Sequence, residues 1–370
     1  MKYVPELDAL RGLAAVAVVA LHWSPTVFFW GWSGVNLFFV LSGYLIGSIV
    51  LGALLEGRFS IIQFYYHRTL RIWPVYYLSL FMILAFHLAV HGFSFFQSEY
   101  FGDWLRSLVF LQFTEFYATP GIASEQIFNF LPGMLPIWSL AVEEQFYLIL
   151  PALLMMLLSK IGIGRTTLVL FAIALVAPVM RLSGFVPVLL VTQMDGLMLG
   201  VILAAITLRN SDRQLLSRMT VRVLFLCSII GSLFLLAPYL YRGFTDGVGA
   251  ADVFAEPLLW TWADIFFFGV IGLVVTYTNS PLLALLRVRP LLYLGSISYA
   301  VYMFHFPILS YVKPRLENWL GDDFGWLSAI VTAALIVGLS HLSRECLERP
   351  ILSLKSRIPG GRTSAAGEAS

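Results

Sequence analysis

Charged residues are scarce in this sequence of 370 residues, because Asp, Glu, Lys and Arg together make up only 12% of it. A typical soluble domain carries about 25% charged residues and about 45 to 50% apolar ones. Here the hydrophobic share is 59%. This composition excludes a water-soluble enzyme and predicts an integral membrane protein embedded in a lipid bilayer. The formal net charge is only +2, which argues against nucleic acid as a partner.

Cysteine and several common catalytic motifs are also missing. The two cysteines, Cys227 and Cys346, cannot form a disulfide framework. The sequence has no Gly-x-Ser-x-Gly, P-loop, His-Glu-x-x-His or Cys-x-x-Cys motif. A serine hydrolase, a nucleotide-driven pump and a metalloenzyme therefore have no visible machinery, and we expect no metal site.

Long apolar runs dominate what is present. A spanning helix needs about 20 predominantly apolar residues, and ten stretches meet this requirement. They cover roughly 9–28, 33–54, 72–91, 136–158, 166–182, 187–207, 222–240, 257–278, 291–311 and 325–345. The sequence therefore predicts an all-α polytopic membrane protein with about ten transmembrane helices. Residues 1–350 would form the membrane domain, and 351–370 a cytoplasmic, disordered tail.

The placement of Lys and Arg predicts how these helices are oriented. With a cytoplasmic N-terminus, 18 of the 23 basic residues fall in cytoplasmic segments. The other five fall on the external side: Arg106, Arg181, Arg242, Lys313 and Arg315. Because basic residues near helix ends favour the cytoplasmic side, both termini are predicted to be cytoplasmic.

Six ionisable side chains are predicted to lie inside the spans: His22, Glu143, Glu144, Asp195, Asp264 and His305. A charge near the middle of the bilayer costs about 2.5 to 3.5 kcal/mol on insertion scales, so such residues usually line a cavity. No Lys or Arg is predicted at that depth to neutralise the four carboxylates. We expect a polar cavity that opens outward, although Asp195 and Asp264 could equally serve only to hold helices together.

The first predicted helix places two polar residues on one face. Arg11 and His22 are 11 residues apart, so they return to within about 20° of the same face and lie about 16 Å apart along the axis. Between them on this face are Ala15 and Val18. These small side chains are expected to leave room for a thin ligand along the helix.

A phosphate-binding role is one interpretation of the arginines at the cytoplasmic end of this helix. Arg11 suits phosphate, and Arg68 and Arg71 from the next cytoplasmic segment could join it. The alternative is that all three only anchor the topology.

Five sequence phrases follow one another through most of the chain. They read PELDALRG at residues 5–12, GVNLFFVLSGYLI at 34–46, FYYHRTLRIWP at 64–74, WSLAVEEQFY at 138–147 and LGSISYAVYMFHFP at 294–307. As a set, they resemble acyltransferase family 3, the integral-membrane acyltransferases of bacterial glycans and related acceptors.

This resemblance implies an O-acyltransferase of the bacterial cell inner membrane. Acyl-CoA, with acetyl-CoA as the expected donor, would bind from the cytoplasm with its phosphates near Arg11, Arg68 and Arg71. The acyl group would move to a hydroxyl of a glycan or glycolipid reached from outside. The matching His22 would be the catalytic histidine.

Two positions depart from the family phrases. Asn36 stands where the family commonly has Asp, and His67 stands where it commonly has Arg. The first change could remove a charged orienting group near the site. The second weakens phosphate binding or makes it depend on pH.

Oxygen acylation by a thioester needs a base for the hydroxyl proton, a group that orients the base, and donors to the developing oxyanion. His22 fits the role of base, and it could instead carry the acyl group covalently. Glu143 or Glu144 could hold its imidazole in the right tautomer. Candidates for contacts with the substrate or oxyanion are Asn36, Ser42, Tyr299, Tyr302 and His305.

A proton-coupled secondary transporter is the alternative from another class, because intramembrane acids and histidines also relay protons. Inverted repeats would favour it, and we find none by inspection of the sequence. The identity of the acceptor, the acyl group and the oligomeric state stay open at this point.

Overall fold

The computed structural model describes residues 3–112, 133–209, 223, 225–226, 228–233, 256–278, 280–321 and 324–354. Within these residues the secondary structure is helical, and no β-strand is present. The predicted all-α class is therefore confirmed.

Twelve α-helices, labelled here in chain order, make up most of the described chain. They are α1 (Pro5–Trp23), α2 (Ser33–Leu55), α3 (Ile61–His91), α4 (Glu99–Ser107), α5 (Trp138–Ala174), α6 (Val176–Leu182), α7 (Met194–Arg209), α8 (Pro257–Thr276), α9 (Arg289–Pro307), α10 (Lys313–Leu320), α11 (Gly325–Ser343) and α12 (Arg349–Leu352). Short 3-10 segments lie between several of them. Two π-helical turns, Ile308–Val312 and Arg344–Glu348, follow α9 and α11.

Six helical segments of the described chain are long and apolar enough to cross a membrane, as expected of a multi-pass membrane protein. They are Phe29–Leu55, Ile61–Gln97, Leu135–Leu182, Pro257–Thr276, Arg289–Leu320 and Gly325–Leu352. α1 is not among them, because Glu6, Asp8 and Arg11 crowd its first turns. α7 contributes a shorter apolar helix, Met194–Leu208.

The count of about ten spans and the cytoplasmic location of both termini stay predictions. Most of the predicted span 222–240 and most of the predicted tail 351–370 lie outside the described residues. The division into a membrane domain and a tail is likewise untested.

The structure bears out one predicted break between spans and moves one predicted boundary. The helical backbone of α5 is interrupted at Gly162 (φ 71°, ψ 168°), which lies between the predicted spans 136–158 and 166–182. Glycine adopts such a positive φ at little cost. α3 begins at Ile61, so the basic and aromatic stretch before residue 72 is the first part of a long helix rather than a separate segment.

α1 and α9 run in the same direction and pack closely because glycine occupies their contact on both sides. A Cβ placed on Gly295 would lie 2.0 Å from the backbone oxygen of Asp8, and one on Gly12 would lie 2.8 Å from the backbone nitrogen of Gly295. Small residues allow this close approach of helices in membranes. The crossing brings the C-terminal ends of both helices, which carry His22 and His305, to the same place.

α2 lies at the centre of the bundle and packs in the same way against α7. Cβ atoms on Gly43 and Gly200 would lie 2.0 Å and 2.3 Å from backbone oxygens of the facing helix. The side chains of Phe39 and Val40 are fully buried there. This rigid centre holds the helices that carry the candidate site.

Candidate active site

His22 and His305, here called the histidine pair, meet at the C-terminal ends of α1 and α9. The Nδ1 atom of His22 lies 2.9 Å from the backbone oxygen of Val18 and 3.2 Å from the Nε2 atom of His305. The Nδ1 atom of His305 lies 2.6 Å from the backbone oxygen of Tyr302. His305 is fully buried and His22 is half-buried. Within the described residues, Nε2 of His22 has no hydrogen-bond partner.

Tyr302 connects the histidine pair to the start of α5. Its hydroxyl donates to the backbone oxygen of Pro136 at 2.8 Å and lies 2.6 Å from Oγ of Ser139. The predicted candidate Tyr302 is thus buried next to His305, with its own hydroxyl proton already engaged.

One face of α5 carries three polar residues spaced by four, here called the α5 row: Ser139, Glu143 and Tyr147. Spacing of four keeps residues on one face, and the row covers about 12 Å of helix. Tyr147 donates from its hydroxyl to Oε2 of Glu143 at 2.8 Å and also contacts Oγ of Ser42. Glu143 lies within electrostatic range of Arg11 and Arg68. The row therefore extends from the histidine pair toward the arginines.

Arg11, Arg68 and Arg71, here called the arginine cluster, gather at the far end of the α5 row. Arg11 and Arg71 are half-buried and lie within electrostatic range of each other, so two like charges are held together. Neither donates a side-chain hydrogen bond to any residue in the described part of the chain. Repelling cations with unused N–H donors form an arrangement that an anion would stabilise.

The two glutamates lie with the arginines and not with the catalytic histidine that the sequence suggests. Oε2 of Glu144 accepts from Nε1 of Trp73 at 3.4 Å, and Oε1 of Glu144 is buried without a hydrogen bond to any described residue. Glu143 is engaged by Tyr147. In the described residues the imidazole that His22 contacts is that of His305, and the role of either glutamate as the partner of His22 stays a prediction.

The remaining candidates lie in different surroundings. Ser42 contacts Tyr147 in the α5 row, and the hydroxyl of Tyr299 donates to the backbone oxygen of Ile72 at 2.8 Å. Asn36 points toward α8, where its Nδ2 donates to Oδ1 of Asp264 at 2.9 Å. Ser42 therefore lies beside the α5 row, whereas Asn36 lies in a different polar region, next to Asp264 on α8.

The expected groove along α1 is not open. Ala15 and Val18 are 2% and 1% exposed, because other helices pack against this part of α1.

Arg181 is a residue whose role the sequence-based prediction missed. The sequence places it on the external side, but its side chain is 1% exposed and its Nη2 lies 2.5 Å from Oδ2 of Asp195. Thr261 donates to the same carboxylate oxygen at 2.7 Å. The expectation that no basic side chain neutralises the buried acids is therefore wrong for Asp195. Nothing in the sequence of the proline-containing loop after α6 indicates that the side chain of Arg181, which precedes this loop, turns inward.

Another contact that the sequence did not indicate comes from the end of the described chain. Glu348, in the π-helical turn after α11, lies within electrostatic range of Arg71 and Arg11. At the other end of α1, Nζ of Lys313 lies 3.1 Å from the backbone oxygen of Trp23. Only the tertiary packing of α1 with the C-terminal helices brings these charges together.

A family model described as an acyltransferase domain, that of acyltransferase family 3, matches residues 4–342. The chain belongs to acyltransferase family 3. Both members of the histidine pair, the α5 row and the arginine cluster lie within the residues that define this family membership. The resemblance inferred from the five phrases is thereby confirmed.

Two relatives with similar sequences are named as O-acetyltransferases. Peptidoglycan O-acetyltransferase OatA of Listeria monocytogenes is 28% identical over 371 residues, which cover 95% of this chain and 56% of the relative. O-acetyltransferase OatA of Staphylococcus aureus is 25% identical over 362 residues, which cover 95% of this chain and 57% of the relative. The chain thus spans little more than half the length of these relatives. No solved structure matches it.

Proposed function

We propose that this acyltransferase family 3 member transfers an acyl group, expected to be acetyl, from cytoplasmic acyl-CoA to a hydroxyl of a glycan or glycolipid on the outer side of the bacterial inner membrane. Similarity to a protein named a peptidoglycan O-acetyltransferase supports a glycan acceptor and an acetyl group. Family membership favours acyl transfer over proton-coupled transport, which the intramembrane acids alone would also allow.

The arginine cluster supports a phosphate-bearing donor. Arg11 and Arg71 have N–H donors that no described residue uses, and guanidinium groups bind phosphate through paired hydrogen bonds. In acyl-CoA the phosphates and the thioester lie at opposite ends of an extended pantetheine arm. The arginine cluster and the histidine pair, about 16 Å apart along α1, would take these two ends.

His22 supplies the proton transfer in this proposal. Its Nε2 accepts the proton of the acceptor hydroxyl while the hydroxyl oxygen forms a bond to the thioester carbonyl carbon. The carbon–sulfur bond then breaks, and the departing thiolate takes the proton back from the imidazolium. The products are an ester and CoA with a free thiol. A covalent acyl-histidine route would use the same nitrogen.

The observation that carries this function is the Nε2 atom of His22, which accepts no hydrogen bond from the described residues and lies on the same helix as Arg11, whose side chain donates none to them. We expect His22→Ala to lower acyl transfer about 10²- to 10⁴-fold, because the base is lost. Binding of acyl-CoA should change little, because the phosphates lie at the other end of the site. Release of CoA in the presence of a glycan acceptor, and acyl-CoA binding by calorimetry, measure the two effects.

A matched control is His341→Ala. His341 is exposed on α11, where it contacts the hydroxyl of Tyr293, so its loss should leave transfer unchanged. A folded His22→Ala protein that transfers at nearly the parental rate would refute the mechanism. Proton-coupled transport would then be the favoured function.

A further inference from the structure

We propose that His305 is a positioning residue that accepts a hydrogen bond from His22 and so presents Nε2 of His22 as the reactive nitrogen. This inference rests on the proposed function, since it assigns the partner of the proposed base. The sequence had offered His305 only as a contact to the substrate or oxyanion.

The tautomer of His305 follows from its backbone neighbour. A carbonyl oxygen can only accept a hydrogen bond, so Nδ1 of His305, 2.6 Å from the oxygen of Tyr302, must carry a hydrogen. A neutral imidazole has one N–H, which leaves a lone pair on Nε2. This lone pair faces Nδ1 of His22 at 3.2 Å.

The neighbours of His22 require the complementary tautomer. Its Nδ1 lies 2.9 Å from the oxygen of Val18, which again can only accept. One N–H is therefore shared between Val18 and Nε2 of His305. The lone pair of neutral His22 must then be on Nε2, the atom that no described residue contacts by hydrogen bond.

The surroundings hold His305 in this orientation. Its side chain is fully buried, and Tyr302 beside it is fixed by Pro136 and Ser139. The close crossing of Gly12 and Gly295 fixes the distance between the two helices. His305 can therefore set the direction of the His22 ring with little freedom, as the third member of a catalytic triad does.

A neutral hydrogen-bond acceptor on His305 is also compatible with the positive charge that forms on His22 when it takes a proton. When Nε2 takes a proton, the imidazolium keeps its Nδ1–H bonded to Val18 and His305. Lys313 at the start of α10 is engaged by the backbone oxygen and ring of Trp23, the residue that follows His22. The same tautomer excludes His305 as an oxyanion donor, because its Nε2 has no hydrogen to donate.

Two substitutions separate positioning from other roles. His305→Phe keeps a buried ring but removes the acceptor, and we expect kcat to fall about 100-fold through misplacement of His22, with KM for acyl-CoA and acceptor unchanged within about twofold. His305→Gln places an amide oxygen where Nε2 lies, and we expect it to restore kcat to within about tenfold of the parental value. In a His22→Ala background, His305→Phe should cause no further loss.

A second measurement does not depend on activity. In protein labelled with ¹⁵N-histidine, the signal lost in His22→Ala identifies His22, and we expect it to report hydrogen on Nδ1 and none on Nε2 at neutral pH. The opposite tautomer would overturn the proposal. So would a His305→Phe protein with raised KM for the acceptor and unchanged kcat, which would assign His305 to substrate binding.

The outcomes distinguish this inference from the function on which it rests. If His22→Ala is inactive and His305→Phe retains the parental rate, only the positioning role fails. If His22→Ala itself retains the parental rate, the proposed function fails. Equal loss of kcat in the Phe and Gln variants, together with lower thermal stability, would assign His305 a purely structural role.

Discussion

The charges of individual residues determine the electrostatics of the site. Arg11 and Arg71 hold two positive charges near each other without using their hydrogen-bond donors on the described chain. Glu143 and Glu348 lie within electrostatic range of this cluster and offset part of the repulsion. An incoming phosphate would replace that partial balance with direct, charge-assisted hydrogen bonds.

We therefore expect Arg11→Ala and Arg71→Ala each to weaken acyl-CoA binding. Hydrogen bonds to charged groups contribute about 1.5 to 3 kcal/mol, which corresponds to roughly a 10- to 150-fold rise in Kd. Calorimetry on folded protein measures this effect. Binding of an acyl-pantetheine that lacks the nucleotide phosphates should not change, and Arg58→Ala, at an exposed pair with Glu56, is the matched control. Unchanged affinity in both variants would reduce these arginines to topology anchors.

The sequence predicts the relative positions of residues on one helix, but it does not predict contacts between residues on two different helices. The 11-residue spacing of Arg11 and His22 placed both on one face, because helix geometry is local. The contact of His22 with His305 joins residues 283 positions apart. No local pattern encodes it, since it depends on where the glycines of α1 and α9 let these helices cross.

Whole elements depend on buried polar contacts that hydropathy does not reveal. Arg181 at the end of α6 bonds Asp195 at the start of α7, and both reach α8 through Thr261. The guanidinium also donates from Nε to the backbone oxygen of Pro257 at 2.8 Å. This network ties three helices together beside the central α2.

Loss of one partner of this pair should destabilise the helix packing. Arg181→Leu leaves Asp195 buried without its cation, and breaking a buried ion pair in this way costs about 3 to 5 kcal/mol. We expect a clearly lower midpoint of thermal unfolding in detergent. Removing both charges, with Arg181→Leu and Asp195→Asn together, should recover part of the loss.

The exposed pair of Arg349 and Glu345 provides the control for this experiment. Arg349→Leu should change the midpoint little, because exposed ion pairs contribute about 0 to 1 kcal/mol. Equal effects of Arg181→Leu and Arg349→Leu would show that the buried pair does not hold the helices together.

The boundaries of the helices illustrate why element prediction was incomplete. Apolar run length located the long helices and the break at Gly162 between two of them, but it missed the early start of α3 at Ile61. A helix that is apolar on most sides shows little periodicity, so its ends and its facing side cannot be derived from the sequence pattern. The buried position of Arg181 escaped for the same reason.

The whole molecule presents a site with two ends. The histidine pair lies at the C-terminal end of α1, the arginine cluster lies nearer its N-terminal end, and the α5 row connects them. If α1 crosses the membrane from a cytoplasmic N-terminus, the donor phosphates and the acceptor hydroxyl belong to opposite sides. We propose that the acyl group crosses the membrane in this way while CoA stays on the donor side.

A sidedness assay checks this proposal. The full protein is reconstituted in sealed lipid vesicles that hold radiolabelled acetyl-CoA inside, with a soluble peptidoglycan fragment outside. We predict labelled ester on the external glycan and free CoA retained inside, and neither product with the His22→Ala protein. Transfer that occurs only when donor and acceptor share one compartment would show that the acyl group does not cross the membrane.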